Sequence, residues 1–554
     1  MLLLNVKQRG IQQMKKHLKS SFLMFLVMAF AFVLVACSGD DEKEDTSKDS
    51  NTTDDKTSEE ATAAGGGDLV LATLSDAANL DPHMSTDVPS ASVLSNITEG
   101  LVKKDKSGEI VPSLAKSWTA VDDLTWEFVL EEDIKFHDGE DFNAAAVKKS
   151  FDRILDPEVA APRAFLFESI KEVEVVSDYV VRIHTHYPFA PLLNHLNHPV
   201  GVIISPAQID ADYENMKAGN LAGALVNEKG PIGTGFMKFD YWTPGTEIKL
   251  VNNQDYWSQK AYVDSVTIKV IPESATRAAE LETGYAHIIE PVQPNEVDMV
   301  KATTNTVDIT PGSSLSYLGF NLNKKPFDDV RVRQAVSMLV DQQVIIDGIY
   351  EGIGEPAKGP LAPSVYGYDN TLSPITYDVE KAKALLAEAG YADGFSTTIW
   401  TNDNPQRQNI AIVLQEELKK INVTAAIEVV EWGAYLAKTA AGEHDMYILG
   451  LSNPVGDADY FLTQLFHSKN HGEAGNRMFY TSAEVDALLD EAREEIDGTK
   501  RLALYKEIQE KLIEDAPMIY IHHQAYISGV SSQIEGYWIN DSGHHKLQEV
   551  KFVK

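Results

Sequence analysis

The sequence has 554 residues, with 48 Lys and Arg against 83 Asp and Glu, and a formal net charge of −35 at pH 7. So large an acidic excess excludes a surface that neutralises nucleic-acid phosphates. The single cysteine excludes a disulfide framework and any metal site built from several cysteines. At roughly 150 residues per domain, the length suits two to four domains.

The first forty residues have the pattern of an export signal. A positive segment with Lys15, Lys16 and Lys19 precedes the apolar residues 22–36, a stretch too short to favour a membrane-spanning helix. It ends in Leu-Val-Ala before Cys37, which resembles a bacterial lipobox. We therefore predict a signal peptide over 1–36 and lipid attachment at Cys37; the alternative is an anchor helix with a chance cysteine.

Residues 37–67 are predicted to form a disordered tether. Between 38 and 67 there are ten Asp and Glu against three Lys, and hardly a residue that could bury surface. Like charges extend such a chain and hold the following body away from an anionic membrane. A long tether on a lipoprotein suits the outer face of the cytoplasmic membrane in a Gram-positive cell.

From residue 68 onward the pattern is mixed α and β. Segments 126–130 and 179–183 alternate like half-buried strands. Segments 144–155, 378–389 and 482–495 have helical apolar spacing; the second opens on Asp378 as an N-cap, and the third opens on Ser482 in a Ser-x-x-Val pattern. No repeat interrupts this region, which predicts one interwoven α/β body.

Several short motifs then occur in a fixed order. They are Leu-Asp-Pro at 80–82, Asn-Ile-Thr-Glu-Gly-Leu at 96–101, Leu-Ala-Lys-Ser-Trp at 114–118, Ile-Lys-Phe-His-Asp-Gly at 134–139, Gly-Thr-Gly at 233–235 and Pro-Phe-Asp-Asp-Val-Arg at 326–331. In this order they resemble family 5 extracellular solute-binding proteins, which serve ABC importers of dipeptides, oligopeptides, glutathione and nickel. The sequence departs from that pattern at 131–133, where a basic residue and a glycine are usual.

The resemblance implies a two-lobed α/β fold of the periplasmic-binding-protein type (type II, cluster C), with mixed sheets and a hinge of two crossovers. It implies a first lobe over 68–310 with an extra subdomain at about 111–232, a second lobe over 311–524, and a return to the first lobe over 525–554. It also implies a monomer that delivers peptide to a permease and ATPase complex.

Two polar loops in the second lobe are the candidate ligand contacts. Trp400, Asn402 and Asn404 lie where a strand runs into such a loop, and Asp457 and Asp459 follow another strand. The resemblance is nearest to the glutathione- and peptide-binding branch. Where the dipeptide branch has an aspartate for the peptide amine, this chain has Pro454, and the usual arginine falls near Thr401. Asp457 and Asp459 are then the nearest acidic substitutes, or they cap the following helix.

An enzymatic function and a metal site have less support from the sequence. The sequence contains no Gly-x-Ser-x-Gly elbow, no His-Glu-x-x-His helix and no Walker loop. The histidine pairs at 184/186, 195/198, 522/523 and 544/545 are without a carboxylate or cysteine at ligand spacing, which favours structural roles. We expect a peptide-binding importer subunit without catalysis, cofactor, metal or nucleic acid. The alternatives are a glutathione or nickel-complex binder, a lipid-anchored hydrolase, and a peptide-binding chaperone or receptor.

Overall fold

The computed structural model describes residues 66–553. The predicted signal peptide, Cys37 and nearly all of the predicted tether lie outside these residues. Within 66–553, no helix has both the length and the apolar character needed to cross a membrane.

The secondary structure alternates between strands and helices along the chain. The helices are α1 (Val88–Leu94), α2 (Ala144–Leu155), α3 (Leu192–Leu196), α4 (Pro206–Lys217), α5 (Ala224–Lys229), α6 (Ser274–Thr283), α7 (Val297–Lys301), α8 (Val330–Ser337), α9 (Gln342–Ile349), α10 (Val379–Glu388), α11 (Pro405–Lys419), α12 (Trp432–Ala440), α13 (Ala458–Phe466), α14 (Ala483–Glu494) and α15 (Gly498–Asp515). The strands are β1 (Asp68–Thr73), β2 (Glu99–Gly100), β3 (Val102–Lys104), β4 (Ile110–Pro112), β5 (Ala115–Asp122), β6 (Thr125–Leu130), β7 (Ile170–Ser177), β8 (Val180–Thr185), β9 (Val202–Ile203), β10 (Met237–Thr243), β11 (Glu247–Asn252), β12 (Ser265–Val270), β13 (Ile288–Glu290), β14 (Thr306–Pro311), β15 (Leu315–Phe320), β16 (Glu355–Pro356), β17 (Ser396–Thr401), β18 (Thr424–Val429), β19 (Met446–Leu451), β20 (Met518–His523), β21 (Ala525–Val530), β22 (Ile534–Glu535), β23 (Trp538–Ile539), β24 (His545–Lys546) and β25 (Lys551–Phe552).

A seven-stranded mixed sheet is the centre of the first lobe, the name used here for residues 66–311 and 525–553. Its strand order is β10-β11-β12-β1-β13-β21-β14. Strand β1 pairs in parallel with β12 on one side and β13 on the other, so these three strands point their carboxyl ends to one edge. Leu69 and Leu71 of β1 are buried in the core beneath the sheet.

A six-stranded sheet is the centre of the second lobe, residues 315–523. Its order is β16-β20-β15-β19-β17-β18, and β17 runs parallel to β18 and β19. The chain enters this sheet from β14 into β15 and leaves it from β20 into β21. Two short connections, residues 312–314 and Gln524, therefore join the lobes side by side. The fold is the two-lobed α/β architecture that the resemblance implies.

A four-stranded antiparallel sheet, β5-β6-β8-β7, extends the first lobe. Helix α2 packs against it because Val147 and Phe151 form a fully buried stripe, and Asn143 caps the helix by accepting from the Ala146 amide. The predicted helices at 144–155, 378–389 and 482–495 are confirmed as α2, α10 and α14, with Asp378 and Ser482 as the caps. At the departure from the motif, Asp133 has a φ of 60°, so it occupies the left-handed region that glycine adopts most readily.

Candidate ligand-binding site

A cavity of about 330 Å³ lies between the two lobes. In the first lobe it is lined by the last residues of three parallel strands, Thr73 of β1, Val270 of β12 and Glu290 of β13. In the second lobe it is lined by Leu451 at the end of β19 and by the loop after β17. Carboxyl ends of parallel strands are where α/β folds place their ligands. The fold therefore brings two such edges together around one cavity.

Aromatic side chains supply much of the wall. Those that line it are Tyr317, Tyr350, Trp432, Tyr460 and Tyr526. Rings of this kind give a ligand apolar contact without demanding one side-chain shape, which suits a site that accepts related molecules.

The second-lobe wall carries two arginines, Arg407 and Arg477, and one acidic residue, Glu473. Arg407 lies in the first turn of α11; its Nη1 donates to Asn402 Oδ1 at 3.0 Å, and its guanidinium lies 5.7 Å from the Trp432 ring centroid. Arg477 is only 7% exposed, and its Nε donates to Thr439 Oγ1 at 3.2 Å. Within residues 66–553, no carboxylate forms an ion pair with either guanidinium. Both cations thus keep donors for a carboxylate that the chain does not supply.

The first-lobe wall carries three acidic residues, Asp76, Asp87 and Glu290, and Asp76 accepts hydrogen bonds from Trp242 Nε1 and the Gly245 amide. Asp87, immediately before α1, is 8% exposed, and neither of its oxygens accepts a hydrogen bond of ordinary geometry; burial raises its pKa, although Ser90 and Trp432 lie close enough to lower it in part. Glu290 ends β13, and burial raises its pKa to about 7 in spite of the charge on Arg277. Arg277 does not donate a hydrogen bond to the Glu290 carboxylate, because its guanidinium donates to the carbonyls of Ile271, Pro272 and Pro291.

The structure places the five predicted contact residues in different surroundings. Asn402 and Asn404 line the cavity, and Asn404 also caps α11 by accepting from the Arg407 amide at 3.0 Å. Trp400 does not line it; this residue lies within β17 and packs under Lys438, whose Nζ is 5.8 Å from the ring. Of the first loop, therefore, only the polar residues face the cavity.

Asp457 and Asp459 do not line the cavity either. Asp457 caps α13 and forms a two-point ion pair with Arg501, with oxygen–nitrogen distances of 2.6 and 2.9 Å. Asp459 lies 3.1 Å from Arg493 Nε and 3.0 Å from His195 Nε2. Burial raises the pKa of Asp459, but these two partners outweigh burial and hold the pKa well below its usual range. Both carboxylates form ion pairs with arginines of the chain itself, and the capping alternative describes Asp457.

Sequence reasoning missed the charged lining residues. Arg407 stands three positions after the capping Asn404, so a search of the first helical turn after the polar loop would have found it. Arg477 lies in a segment after the second loop. Asp87 carries no such signal, because only the tertiary fold brings its loop to the cavity.

This architecture defines a two-lobed ligand-binding protein. Comparison with known proteins agrees with it. Residues 109–473 match the model of the bacterial extracellular solute-binding proteins, family 5. The glutathione-binding protein GsiB of Salmonella typhimurium is 33% identical over 483 residues, covering 85% of this chain and 92% of that one. The corresponding protein of Escherichia coli K12 is 32% identical over 482 residues, with the same coverage of both chains. The chain belongs to the family 5 extracellular solute-binding proteins.

Solved structures show the same fold with ligands of several kinds. Helicobacter pylori DppA, in complex with the peptide STSA, has a TM-score of 0.82 and 33% identity, covering 89% of this chain and 99% of that one. Bacillus subtilis AppA, in complex with a nonapeptide, has a TM-score of 0.81 and 27% identity, covering 89% and 100%. Staphylococcus aureus NikA, in complex with Ni(L-His)2, has a TM-score of 0.77 and 25% identity, covering 88% and 100%.

Proposed function

We propose that this protein is the substrate-binding subunit of an ABC importer, and that it captures short peptides outside the membrane for a permease and ATPase complex. The observation that carries the proposal is the cavity between the lobes, whose lining holds Arg407 and Arg477 without an ion-pair partner among the described residues, together with the acidic residues Asp87 and Glu290. A peptide carries both charges at its ends. The volume of the cavity is near the small end of the range for ligand pockets, roughly 300–1,000 Å³, and this favours a short peptide.

Capture would proceed by closure of the two lobes, taken as 68–310 with 525–554 and 311–524. Two hydrogen bonds join the lobes beside the cavity and would belong to the closed form: Arg163 donates to the Tyr460 hydroxyl at 2.9 Å, and Asn197 donates to the Pro454 carbonyl at 3.0 Å. Closure of this kind removes a ligand from water and creates a shape that a permease can distinguish from the open form.

Anchoring would use the N-terminal segment. Lipid on Cys37 and the acidic tether would hold a monomeric body at the outer face of the cytoplasmic membrane, in a Gram-positive cell. Binding would involve no catalysis, which agrees with relatives named as binding proteins.

Glutathione is the second candidate ligand, since the relatives in Salmonella and Escherichia are glutathione-binding proteins and two arginines face the cavity. A nickel complex is the alternative that the Staphylococcus structure suggests. The presence of both acidic and basic residues in the lining favours a peptide over the metal complex, because each sign of charge then finds a partner.

The test is to purify the protein from its native cell and identify by mass spectrometry what denaturation releases. We expect intact short peptides from the wild type and a much smaller amount from Arg407→Gln. Arg331→Gln is the matched control, since Arg331 is paired with Asp329 at 2.6 Å and does not line the cavity. Cleaved fragments that accumulate with time would favour a hydrolase, and a nickel complex in place of peptide would overturn the peptide assignment.

A further inference from the structure

A group of ionic contacts joins the two lobes outside the lining of the cavity. From the first lobe it includes His195 of α3 and Glu168, and from the second lobe Asp459 of α13 and Arg493 of α14. His195 and Asp459 are each 1% exposed, so their contact is shielded from water. His195 meets Asp459, and Glu168 meets Arg493, across the boundary between the lobes. These two contacts therefore depend on the lobes being together.

The ring of His195 faces an acceptor at each nitrogen. Its Nδ1 lies 3.0 Å from the Leu166 carbonyl oxygen of its own lobe, and its Nε2 lies 3.0 Å from Oδ2 of Asp459 in the other lobe. A carbonyl oxygen can only accept, so we assign a proton to Nδ1. A neutral imidazole has no second proton and would turn a lone pair toward the carboxylate. With the lobes together, both nitrogens therefore carry protons and His195 is a cation.

Asp459 is the ionised partner of this cation. Burial raises the pKa of Asp459, but the charge on Arg493, whose Nε lies 3.1 Å from Oδ1, outweighs burial and holds the pKa well below its usual range. Arg493 is paired with Glu168 in turn and lies 5.3 Å from the Phe189 ring centroid. The other titratable groups around these contacts are Arg163, Tyr187, His198, Lys469, Asp490 and Arg501.

His198 does not share the role of His195. Burial lowers the pKa of His198 well below its ordinary value, and the charge on Arg163 lowers it further. Its Nδ1 accepts from the Val200 amide at 3.1 Å, so this nitrogen carries no proton. Of the two histidines beside the boundary, only His195 has acceptors at both nitrogens.

We propose that closure of the lobes takes up a proton on His195, so that the contact with Asp459 couples ligand capture to pH. This rests on the proposed function, since closure is the step that the contact regulates. Imidazole in water titrates near pH 6.5. Opening the lobes separates Asp459 from His195, so closure above that pH draws a proton from solvent. The closed form is favoured at low pH, and capture weakens as the pH rises.

The test is calorimetry on the full chain at pH 7.5, in buffers of different ionisation enthalpy, with the dipeptide Ala-Glu and with glutathione. The buffer dependence of the heat gives the number of protons taken up on binding. We expect His195→Gln to take up about one proton fewer per bound peptide than the wild type. Between pH 6 and 8.5, the wild type should lose about ten-fold or more in affinity beyond the loss of the variant. Protons exchanged by the peptide or by Glu290 are common to both proteins and cancel.

Asp459→Asn tests the same contact from the other lobe. An amide can donate to a lone pair on Nε2, so His195 no longer needs its second proton. This variant should lose the same proton as His195→Gln, and the double variant should lose no more than either. If one single variant fails to fold, the other still gives the measurement.

His184→Gln is the matched control. His184 Nε2 also lies 3.0 Å from a carboxylate oxygen, that of Glu174, but both residues belong to the first lobe. Movement of the lobes leaves this pair intact, so the variant should take up as many protons as the wild type.

The outcomes separate the two proposals. Equal proton uptake by the wild type, His195→Gln and Asp459→Asn would overturn the coupling while peptide capture stands. Loss of the proton in His184→Gln as well would also overturn it, because the effect would then not belong to the boundary between the lobes. A wild type that binds neither peptide between pH 6 and 8.5 would overturn the proposed function and the coupling with it.

Discussion

Glu290 shows how a single residue at a strand end couples the site to pH. Its carboxylate faces Arg277 of α6 and lies near Tyr526 of β21 and Tyr537, and burial raises its pKa from 4.5 to about 7. The folded state therefore binds this proton more tightly than the unfolded chain does. Stability conferred by the protonated form is present below about pH 4.5 and is lost as pH rises to about 7.

Glu290→Gln should remove this loss. One pKa unit corresponds to about 1.4 kcal/mol, so the ligand-free variant should be up to about 3 kcal/mol more stable than the wild type at pH 8, and nearly equal to it at pH 4.5. Urea unfolding between pH 4.5 and 8 measures the difference. Glu282→Gln, an exposed position on α6, is the control and should follow the wild type. If the free energy of unfolding of Glu290→Gln changed with pH in the same way as that of the wild type, the raised pKa of Glu290 would be contradicted.

Helix α13 is held in its position by ionic contacts. Asp457 caps its first turn by accepting from the Asp459 amide at 2.9 Å, and the same carboxylate is paired with Arg501 from α15. Asp459 of the helix is paired with Arg493 from α14 and with His195 from the first lobe. These contacts fix the helix against three other elements.

Asp457→Asn should therefore change stability and leave ligand affinity within about two-fold of the wild type. Asparagine still caps a helix but leaves Arg501 buried and unpaired, which costs roughly 3–5 kcal/mol. Asp378→Asn is the matched control, since Asp378 caps α10 from an exposed position and should cost less than about 1 kcal/mol. Urea unfolding and calorimetry with peptide measure the two quantities. A large loss of affinity without a loss of stability would instead place Asp457 among the ligand contacts.

The sequence predicts elements better than it predicts charge partners. Helices α2, α10 and α14 were predictable because apolar spacing and a local cap define each of them within the chain. Asn402 and Asn404 were predictable as cavity residues because they follow a strand of a parallel pair. The partner of Asp457 was not, since Arg501 is 44 residues away and only the packing of α15 brings it there.

At the scale of the whole molecule, two chain crossovers join the lobes, and the cavity lies between the lobes that they join. Several polar contacts link the lobes; they include the pair of Gln406 with Gln293 and the ion pair of Lys469 with Glu168. Each is polar and individually modest, so they can separate and reform as the lobes move. A ligand that contacts both lobes would add to the stability of the closed form.

The most direct test of this account is small-angle X-ray scattering of the purified protein with and without a saturating short peptide, with the peptide recovered afterwards. We predict that the radius of gyration falls on addition of the peptide, that it does not fall for Arg407→Gln at the same concentration, and that the peptide is recovered intact. An unchanged radius of gyration for the peptide-saturated wild type, or recovery of a cleaved peptide, would contradict capture by closure of the lobes.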